Sequence, residues 1–176
     1  MKATGVVRRI DDLGRIVLPK ELRRTMRIKE GESLEIYTDG DNKIVLKKYS
    51  PVNQMTDFVK EFTESMYTTN KRNIIVTDNE KIVAASGDFK IDLTGKKITK
   101  ELEERLKNRN TQINNSGVSL NVCENYTINN ASIVKPINVF GDVLGCVIVE
   151  GKPQVTDSEK SLAEFGGLFM SRYLEI

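Results

Sequence analysis

The part of the sequence that most constrains the fold is residues 5–28, GVVRRIDDLGRIVLPKELRRTMRI, which hold six arginines in a frame of β-branched residues. Residues 6–10 and 15–18 are rich in valine and isoleucine and predict two strands, and residues 11–14 between them predict a turn that ends on a glycine. The proline that follows cannot donate to a β-ladder but suits the first turn of a helix, so a short helix is predicted over residues 19–27. This order predicts a small module in which a hairpin leads into a helix.

A second hairpin completes the module. Residues 34–37 alternate as a half-buried strand, DGDN is a strong turn signal, and residues 43–49 return as the last strand. Leu22 and Met26 lie four positions apart and mark the inner face of the predicted helix. So small a β-β-α-β-β unit struggles to bury its apolar surface alone, so we expect an obligate homodimer through residues 1–49.

Arginines are the candidate functional residues of this module. Arg8 and Arg9 point to opposite sides of their predicted strand. Arg23, Arg24 and Arg27 share one face of the predicted helix. Guanidinium groups suit bidentate contact with phosphate or guanine, and a dimer would duplicate each of them. The candidate DNA contacts are Arg8, Arg9, Arg15, Arg23, Arg24 and Arg27.

The distribution of charge favours a nucleic-acid partner for this module. Residues 1–49 hold 12 basic against 8 acidic residues, a net charge of +4, and the remaining residues hold 15 against 17, a net charge of −2. A basic module joined to a mildly acidic one is typical of a nucleic-acid binder with a second, non-binding domain. The alternative is a solvated, salt-bridged surface, because acidic residues interleave with the arginines. Those acidic residues are Asp11, Asp12, Glu21 and Glu30.

The sequence lacks the residues that several classes of function require. The chain has no histidine, which removes His-based triads and the commonest zinc ligand, and its two cysteines fit no CxxC spacing. Cys146 lies in the apolar run CVIV and is expected to be a small buried hydrophobe, as free cysteine often is. No nucleophile–base pair and no metal-ligand cluster can be nominated, so we expect no enzyme activity, no metal and no resident cofactor. Without a signal peptide or a long apolar run, we expect a cytoplasmic protein with no membrane contact.

Residues 1–49 resemble the AbrB-type swapped-hairpin DNA-binding domain of bacterial transition-state regulators. The similarity is carried by TGVVRRIDDLGRIVLPKELRRTMRIKEG, LEIYTD and KIVLKKY, in which turns, proline, helix and arginines follow one order. It implies that two chains interleave their hairpins into one β-barrel-like dimer whose outer arginines contact double-stranded DNA. The arginines that match the family's DNA-contacting positions are Arg8, Arg15, Arg23 and Arg24. Arg9 matches a basic position of the same surface, and Arg27 is added from its place on the predicted helix.

A boundary follows this head at Ser50-Pro51, which breaks the last strand. We expect a head at residues 1–49, a linker at residues 50–55 and a second domain at residues 56–176 that includes its flanking helices. The second domain opens with an apolar stripe at helical spacing, made of Met55, Phe58, Val59, Phe62 and Met66. This stripe predicts either a coiled-coil-like neck or a helix packed on the following domain.

The rest of the second domain gives the chain an α+β fold class. Strands are predicted at residues 73–77, 81–85, 120–122, 132–137 and 143–149, and helices at residues 97–107 and after a capping box at residues 156–159. The order resembles a GAF domain, a small-molecule or interaction module, and the best local match is IVKPINVFGDVLGCVIVEG. Such modules host many functions, and the Asn-Lys-Phe-Asp-Glu signature of cyclic-nucleotide-binding versions is absent. A ligand-free dimerisation domain and a sensor of an unknown small molecule both stay open.

Head and second domain together resemble a family of regulators from spore-forming bacteria. This resemblance implies a DNA-binding transcription regulator that activates and represses genes in the developing forespore. It also implies a homotetramer, in which dimeric heads are joined through the GAF-like domains and their helices. Related heads also occur in toxin–antitoxin pairs, so an antitoxin-like interaction protein is the alternative function.

Overall fold

The chain forms two compact units in a computed structural model that describes residues 4–40 and 42–175. Unit 1 is Met1–Tyr49 and unit 2 is Ser50–Ile176. The elements of unit 1 are helix α1 (Lys20–Thr25) and the antiparallel strands β1 (Leu34–Asp39) and β2 (Lys43–Lys48). The two strands of the second predicted hairpin are therefore confirmed, while Asp41 of its predicted turn lies outside the described residues. Among the described residues, no helix is long and apolar enough to cross a membrane.

Helix α1 is shorter than predicted. It ends at Thr25, because Arg27 adopts a left-handed conformation with a φ of 53°. The amide of Arg27 donates to the carbonyl of Arg24 at 3.2 Å, and the amide of Ile28 donates to the carbonyl of Arg23 at 2.8 Å. These two hydrogen bonds form a Schellman motif, which closes the helix and usually has glycine at the left-handed position. The prediction that Arg27 belongs to the helix is wrong.

The two strands predicted at residues 6–10 and 15–18 are not formed in the single chain. The turn between them is closed by the amide of Gly14, which donates to the carbonyl of Asp11 at 3.0 Å, and by the amide of Asp11, which donates to the carbonyl of Arg15 at 3.1 Å. Beyond the turn, a strand needs a neighbouring ladder for its amides and carbonyls. The predicted β-β-α-β-β order is therefore wrong for one chain, because the described residues offer these segments no ladder.

Unit 1 has no hydrophobic core of its own. Among its described residues Pro19 is buried, but no valine, leucine, isoleucine, methionine or aromatic side chain is. Ile36 and Ile44 lie on the same face of the β1–β2 hairpin and are 67% and 70% exposed. Val7 and Val17 are 85% and 74% exposed. A unit of this size is not stable by itself while its apolar surface remains uncovered.

Unit 2 is built on an antiparallel sheet with helices packed on it. Its helices are α2 (Pro51–Gln54), α3 (Thr56–Asn70), α4 (Lys100–Leu106) and α5 (Asp157–Leu174). Its strands are β3 (Ile74–Asp78), β4 (Ile82–Ser86), β5 (Gln112–Asn114), β6 (Leu120–Cys123), β7 (Tyr126–Ile128), β8 (Ser132–Val139) and β9 (Asp142–Glu150). The central sheet has the order β4-β3-β9-β8-β5, and β6 pairs with β7.

Each face of the central sheet carries its own hydrophobic core. Helices α3 and α5 cover one face, where Val59, Met66 and Met170 are buried. Helix α4 and the β6–β7 hairpin cover the other face, where Leu102 and Leu120 are buried. Of the two alternatives for the apolar stripe of α3, the helix packed on the following domain is the one observed.

Residues 50–55, predicted as a linker, are folded into unit 2. The Ser50 hydroxyl accepts from the amide of Asn53 at 3.3 Å and donates to the carboxylate of Asp78 at 2.8 Å. Val52 of α2 is fully buried in the core under α3. The Ser-Pro pair here starts a helix, because serine caps it and proline suits its first turn.

Other element bounds also differ from the prediction. The helix predicted at residues 97–107 begins at Lys100, because the Thr99 hydroxyl caps it by accepting from the amide of Leu102 at 3.2 Å. Ile98 pairs instead with Cys123 in an isolated bridge. Strands β5 and β7 were not predicted, since three residues are too few to show a periodicity.

Candidate nucleic-acid interface

The turn that follows the first arginines holds Arg15 through Asp11. One carboxylate oxygen of Asp11 accepts from the amides of Leu13 at 3.0 Å and Arg15 at 2.8 Å, and the other accepts from Nε of Arg15 at 2.7 Å. Hydrogen bonds from Arg15, first from its amide and then from its side chain, hold the pKa of Asp11 below its ordinary value of 3.8. Asp11 is therefore an anion that orients Arg15, whose side chain stays 70% exposed.

Helix α1 carries Arg23 and Arg24 in its last turn. Cations at this end of a helix interact favourably with the helix dipole, as does the acidic Glu21 in the first turn. Both arginine side chains are exposed and form no ion pair with the described residues. The last turn of α1 therefore presents two exposed arginine side chains to solvent.

Lys48 of β2 attaches the end of α1 to the hairpin. Its Nζ donates to the carbonyl of Arg27 at 2.7 Å and lies 3.3 Å from the carboxylate of Glu32. Glu32 in turn accepts from the amide of Lys29 at 2.8 Å. The segment after α1 is thus fixed against β2. Arg27 lies in this segment with an exposed side chain, so it does not share a helix face with the other arginines.

The six candidate arginines are all exposed. Arg23 and Arg24 are consecutive residues of α1, and Arg15 is held in its turn by Asp11. Arg8 and Arg9 precede that turn, where the chain forms neither helix nor strand. Of the six, Arg15 alone forms an ion pair with the described residues, the one with Asp11. The salt-bridged surface that was the alternative reading therefore applies to Arg15 and not to the other five.

Sequence reasoning missed two residues that position this surface. The sequence predicts Asp11 as a turn residue and as a source of neutralising charge. An aspartate that accepts from amides two and four positions later is, however, a recognised turn motif. Lys48 was counted only as part of the last strand. No local signal identifies it, because its partner carbonyl lies 21 positions earlier in the chain.

The sheet face of unit 2 under α4 is filled by its own side chains. Leu93, Leu120, Ile128 and Ile148 are buried there against one another. No buried side-chain polar atom among the described residues lacks a hydrogen-bond partner. Within the same part of the chain, no group of histidine, cysteine or acidic residues could hold a metal ion. This face offers neither space nor unpaired polar groups to a ligand.

Comparison with known proteins identifies families that match each part of the chain. Residues 54–175 match the family described as stage V sporulation protein T C-terminal, transcription factor. Over 177 aligned residues the chain is 38% identical to stage V sporulation protein T of Bacillus subtilis (strain 168), covering 99% of each chain. The chain belongs to the stage V sporulation protein T family. Residues 7–54 match a second family, described as antidote-toxin recognition MazE, bacterial antitoxin.

The two units also have separate relatives. A stretch of 51 residues is 63% identical to the transition state regulatory protein AbrB of Bacillus subtilis (strain 168), covering 29% of this chain and 52% of AbrB. The structure of a type II free methionine-R-sulfoxide reductase from Thermoplasma acidophilum aligns with a TM-score of 0.52 at 9% identity, covering 70% of this chain and 94% of that one. That likeness concerns the fold alone. The α+β class and the AbrB-type head are confirmed.

Proposed function

We propose that this protein is a DNA-binding transcription regulator that acts in sporulation. The observation that carries the proposal is similarity along 99% of both chains to stage V sporulation protein T, in a family described as a transcription factor. The exposed arginines of unit 1, five of which form no ion pair with the described residues, supply a surface suited to that role. The protein activates some genes and represses others in the forespore cytoplasm, and it needs no catalytic site to do so.

The DNA-binding surface belongs to a homodimer of unit 1. Support comes from the apolar face of the β1–β2 hairpin and from the two segments without a ladder, all of which a second copy can cover. Interleaved hairpins would give residues 6–10 and 15–18 the hydrogen-bonding partners that one chain lacks. Dimerisation also duplicates the candidate contacts, which are Arg8, Arg9, Arg15, Arg23, Arg24 and Arg27.

Phosphate neutralisation is the main source of affinity in this mechanism. Guanidinium groups displace condensed counterions from the duplex, and a smaller number of bidentate contacts to base edges adds sequence preference. Arg15, already oriented by Asp11, is suited to a bidentate contact that needs a fixed geometry. DNA deformability contributes where no side chain reaches a base.

Unit 2 assembles dimers into a homotetramer. Phe58 and Phe62 of α3 stack on Tyr173 and Phe169 of α5, with ring centroids 4.4 and 5.1 Å apart. At the outer side of this helix pair, Phe165, Leu168 and Tyr173 are 58%, 58% and 43% exposed. A continuous aromatic surface of this kind suits helix packing between copies. The filled face under α4 supports a ligand-free assembly role over a small-molecule sensor.

The experiment that tests DNA binding is a salt titration with Arg23→Ala and Arg24→Ala. The wild-type protein should lose about 10³-fold or more in affinity for duplex DNA between roughly 50 and 200 mM salt, if six or more phosphates are contacted. The double variant should lose DNA binding and keep its assembly state, because both side chains are exposed and unpaired. Fluorescence anisotropy measures the binding, and light scattering measures the assembly.

A matched control removes the same charge elsewhere. Lys107→Ala with Arg109→Ala changes two exposed cations of unit 2 and should leave the affinity for DNA unchanged. Wild-type affinity that does not respond to salt, or an Arg23 and Arg24 variant that binds as well as the control, would contradict the mechanism.

An antitoxin-like interaction protein is the second candidate, favoured by the match of residues 7–54 to the antitoxin family. Antidotes of that kind usually wrap their toxin with a disordered tail, whereas unit 2 is folded around two hydrophobic cores. Purification of the full chain from its native host distinguishes the two. A stoichiometric toxin that co-purifies with it would reverse the ranking.

A further inference from the structure

Two lysines of unit 2 are brought together at the edge of its central sheet. Lys81 immediately precedes β4, the edge strand, and Lys97 lies shortly before α4. The two residues are direct partners in an isolated antiparallel bridge. Lys81 and Lys97 are referred to below as the lysine pair.

The hydrogen bonds around the bridge fix the geometry of the lysine pair. The amide of Ile82 donates to the carbonyl of Lys96, and the amide of Ile98 donates to the carbonyl of Glu80, both at 2.9 Å. The bonds are therefore made by the neighbours on either side, and the lysine pair itself is a non-hydrogen-bonded pair. In such a pair the Cα atoms are about 4.5 Å apart and the side chains leave the same side of the ladder. The two lysine side chains consequently leave the ladder next to each other, on the same side.

No described carboxylate neutralises this charge. Neither lysine of the pair forms an ion pair with the described residues. The carboxylate of Asp78, close by in the turn, is occupied with the amides of Glu80 and Lys81 at 2.7 Å each and with the hydroxyl of Ser50 at 2.8 Å. Like charges placed directly opposite each other destabilise a ladder. An anionic ligand between the two ammonium groups would offset that repulsion.

The position of the lysine pair favours DNA as this anion. Ser50 is the first residue of unit 2, and its hydrogen bond to Asp78 holds the turn before Lys81 against the start of unit 2. Unit 2 as a whole has a net charge of −2, and the lysine pair is therefore a local positive site in an otherwise acidic unit. A lysine ammonium is a flexible point charge that suits phosphate contact without base reading.

We propose that the lysine pair binds the phosphate backbone of the DNA held by unit 1, so that unit 2 takes a direct part in DNA binding. This inference rests on the proposed DNA-binding function. Its contribution is independent of sequence and sensitive to salt, because it comes from counterion release. An acidic protein partner for the same cations is the competing class, and the test below separates the two.

The test compares three double variants of the full chain with the wild type on a random-sequence duplex of about 60 base pairs. Lys81→Gln with Lys97→Gln should weaken binding about tenfold at roughly 0.15 M salt and lower the slope of log K against log salt by about 2 per bound protomer. Lys60→Gln with Lys160→Gln removes the same charge from helices α3 and α5 and should change neither quantity. Lys81→Arg with Lys97→Arg should keep the wild-type affinity and slope.

Two further measurements complete the test: the melting temperature of the double glutamine variant and the DNA affinity of Lys97→Gln alone. The melting temperature of the double glutamine variant should equal or exceed that of the wild type, because a like-charge pair has been removed. Lys97→Gln alone, at an exposed position, should produce about half of the change in slope. Unchanged affinity and slope in the double glutamine variant would overturn the inference and leave an acidic protein as the partner class. Failure of the wild type to bind DNA would instead overturn the proposed function.

Discussion

Asp11 uses both carboxylate oxygens inside one turn, and this decides how Arg15 is presented. Its pKa is lowered first by the amide of Arg15 and second by the guanidinium group of the same residue. Replacing Arg15 with glutamine removes the second cause and keeps the first. We therefore expect Arg15→Gln to raise the pKa of Asp11 only part of the way towards 3.8, the ordinary value. An NMR pH titration of the Asp11 carboxyl carbon measures the change.

The direction of the pH effect on this turn follows from the lowered pKa. The stabilisation of the turn by ionised Asp11 is fully present above the ordinary pKa of the carboxyl. It is lost as the pH falls through the lowered pKa of the folded protein. Arg9→Gln is the control, since Arg9 is not among the groups that shift the pKa of Asp11. A complete return to the ordinary value in Arg15→Gln would show that the amide hydrogen bond contributes nothing.

At the residue level, the sequence predicted which side chains are candidates but not how they are held. The six arginines were identifiable because residue type and spacing are enough to recognise them. The left-handed Arg27 was missed, since helix ends of this kind normally place a glycine there. The hydrogen bond from Lys48 to the segment after α1 forms only in the folded chain, and the local sequence does not predict it.

Helix α5 begins with a buried carboxylate that joins two distant parts of unit 2. Glu159 accepts from the amide of Thr156 at 2.8 Å, which confirms the predicted capping box, and lies 2.5 Å from Nε of Arg72. Burial raises the pKa of Glu159, but hydrogen bonds from Thr156 and Arg72 outweigh burial and lower it to about 2. Ionised Glu159 therefore stabilises the start of α5 against β3.

Glu159→Gln should reveal this contribution, because glutamine resembles the protonated form. The drop from 4.5 to about 2 corresponds to about 3 kcal/mol of folding free energy at neutral pH. Since the pKa is depressed on folding, the loss should be full above pH ~4.5, about half by pH ~3 and small near pH ~2. Urea unfolding followed by circular dichroism checks it. A loss that does not depend on pH would mean that packing, and not the charge, is responsible.

Element-level prediction succeeded where both partners of an element lie in the same chain. The capping box and the pairing of β1 with β2 are predicted correctly because their signals are local. The apolar pattern of residues 6–10 and 15–18 was read as strands, and the single chain does not pair them. Apolar periodicity indicates which residues are suited to burial. It does not indicate whether the pairing strand belongs to the same chain or to a second copy.

Assembly through unit 1 can be tested with one side chain. Alternation places Ile16 on the side opposite Arg15, and Ile16 is 53% exposed in the single chain. An aspartate at an exposed site normally changes the free energy of unfolding by at most about 0.5 kcal/mol. If a dimer covers Ile16, Ile16→Asp should instead separate the heads, halve the mass by light scattering and abolish DNA binding. Val17→Asp, on the Arg15 side, should keep the assembly, and equal effects of the two variants would contradict the buried hairpin.

Assembly through unit 2 should add avidity, because it holds more than one head in the same molecule. Phe165→Ser with Leu168→Ser replaces two exposed residues of α5, so unit 2 should stay folded while tetramers become dimers. On a short duplex that admits one head, affinity should match the wild type. On a long duplex that admits two heads, it should fall about 10²- to 10⁴-fold, because the second binding event is no longer intramolecular. Adding Ile16→Asp should give monomers, since each variant removes a different interface. Equal losses on both duplexes would mean that α5 supports the head itself and does not set how many heads act together.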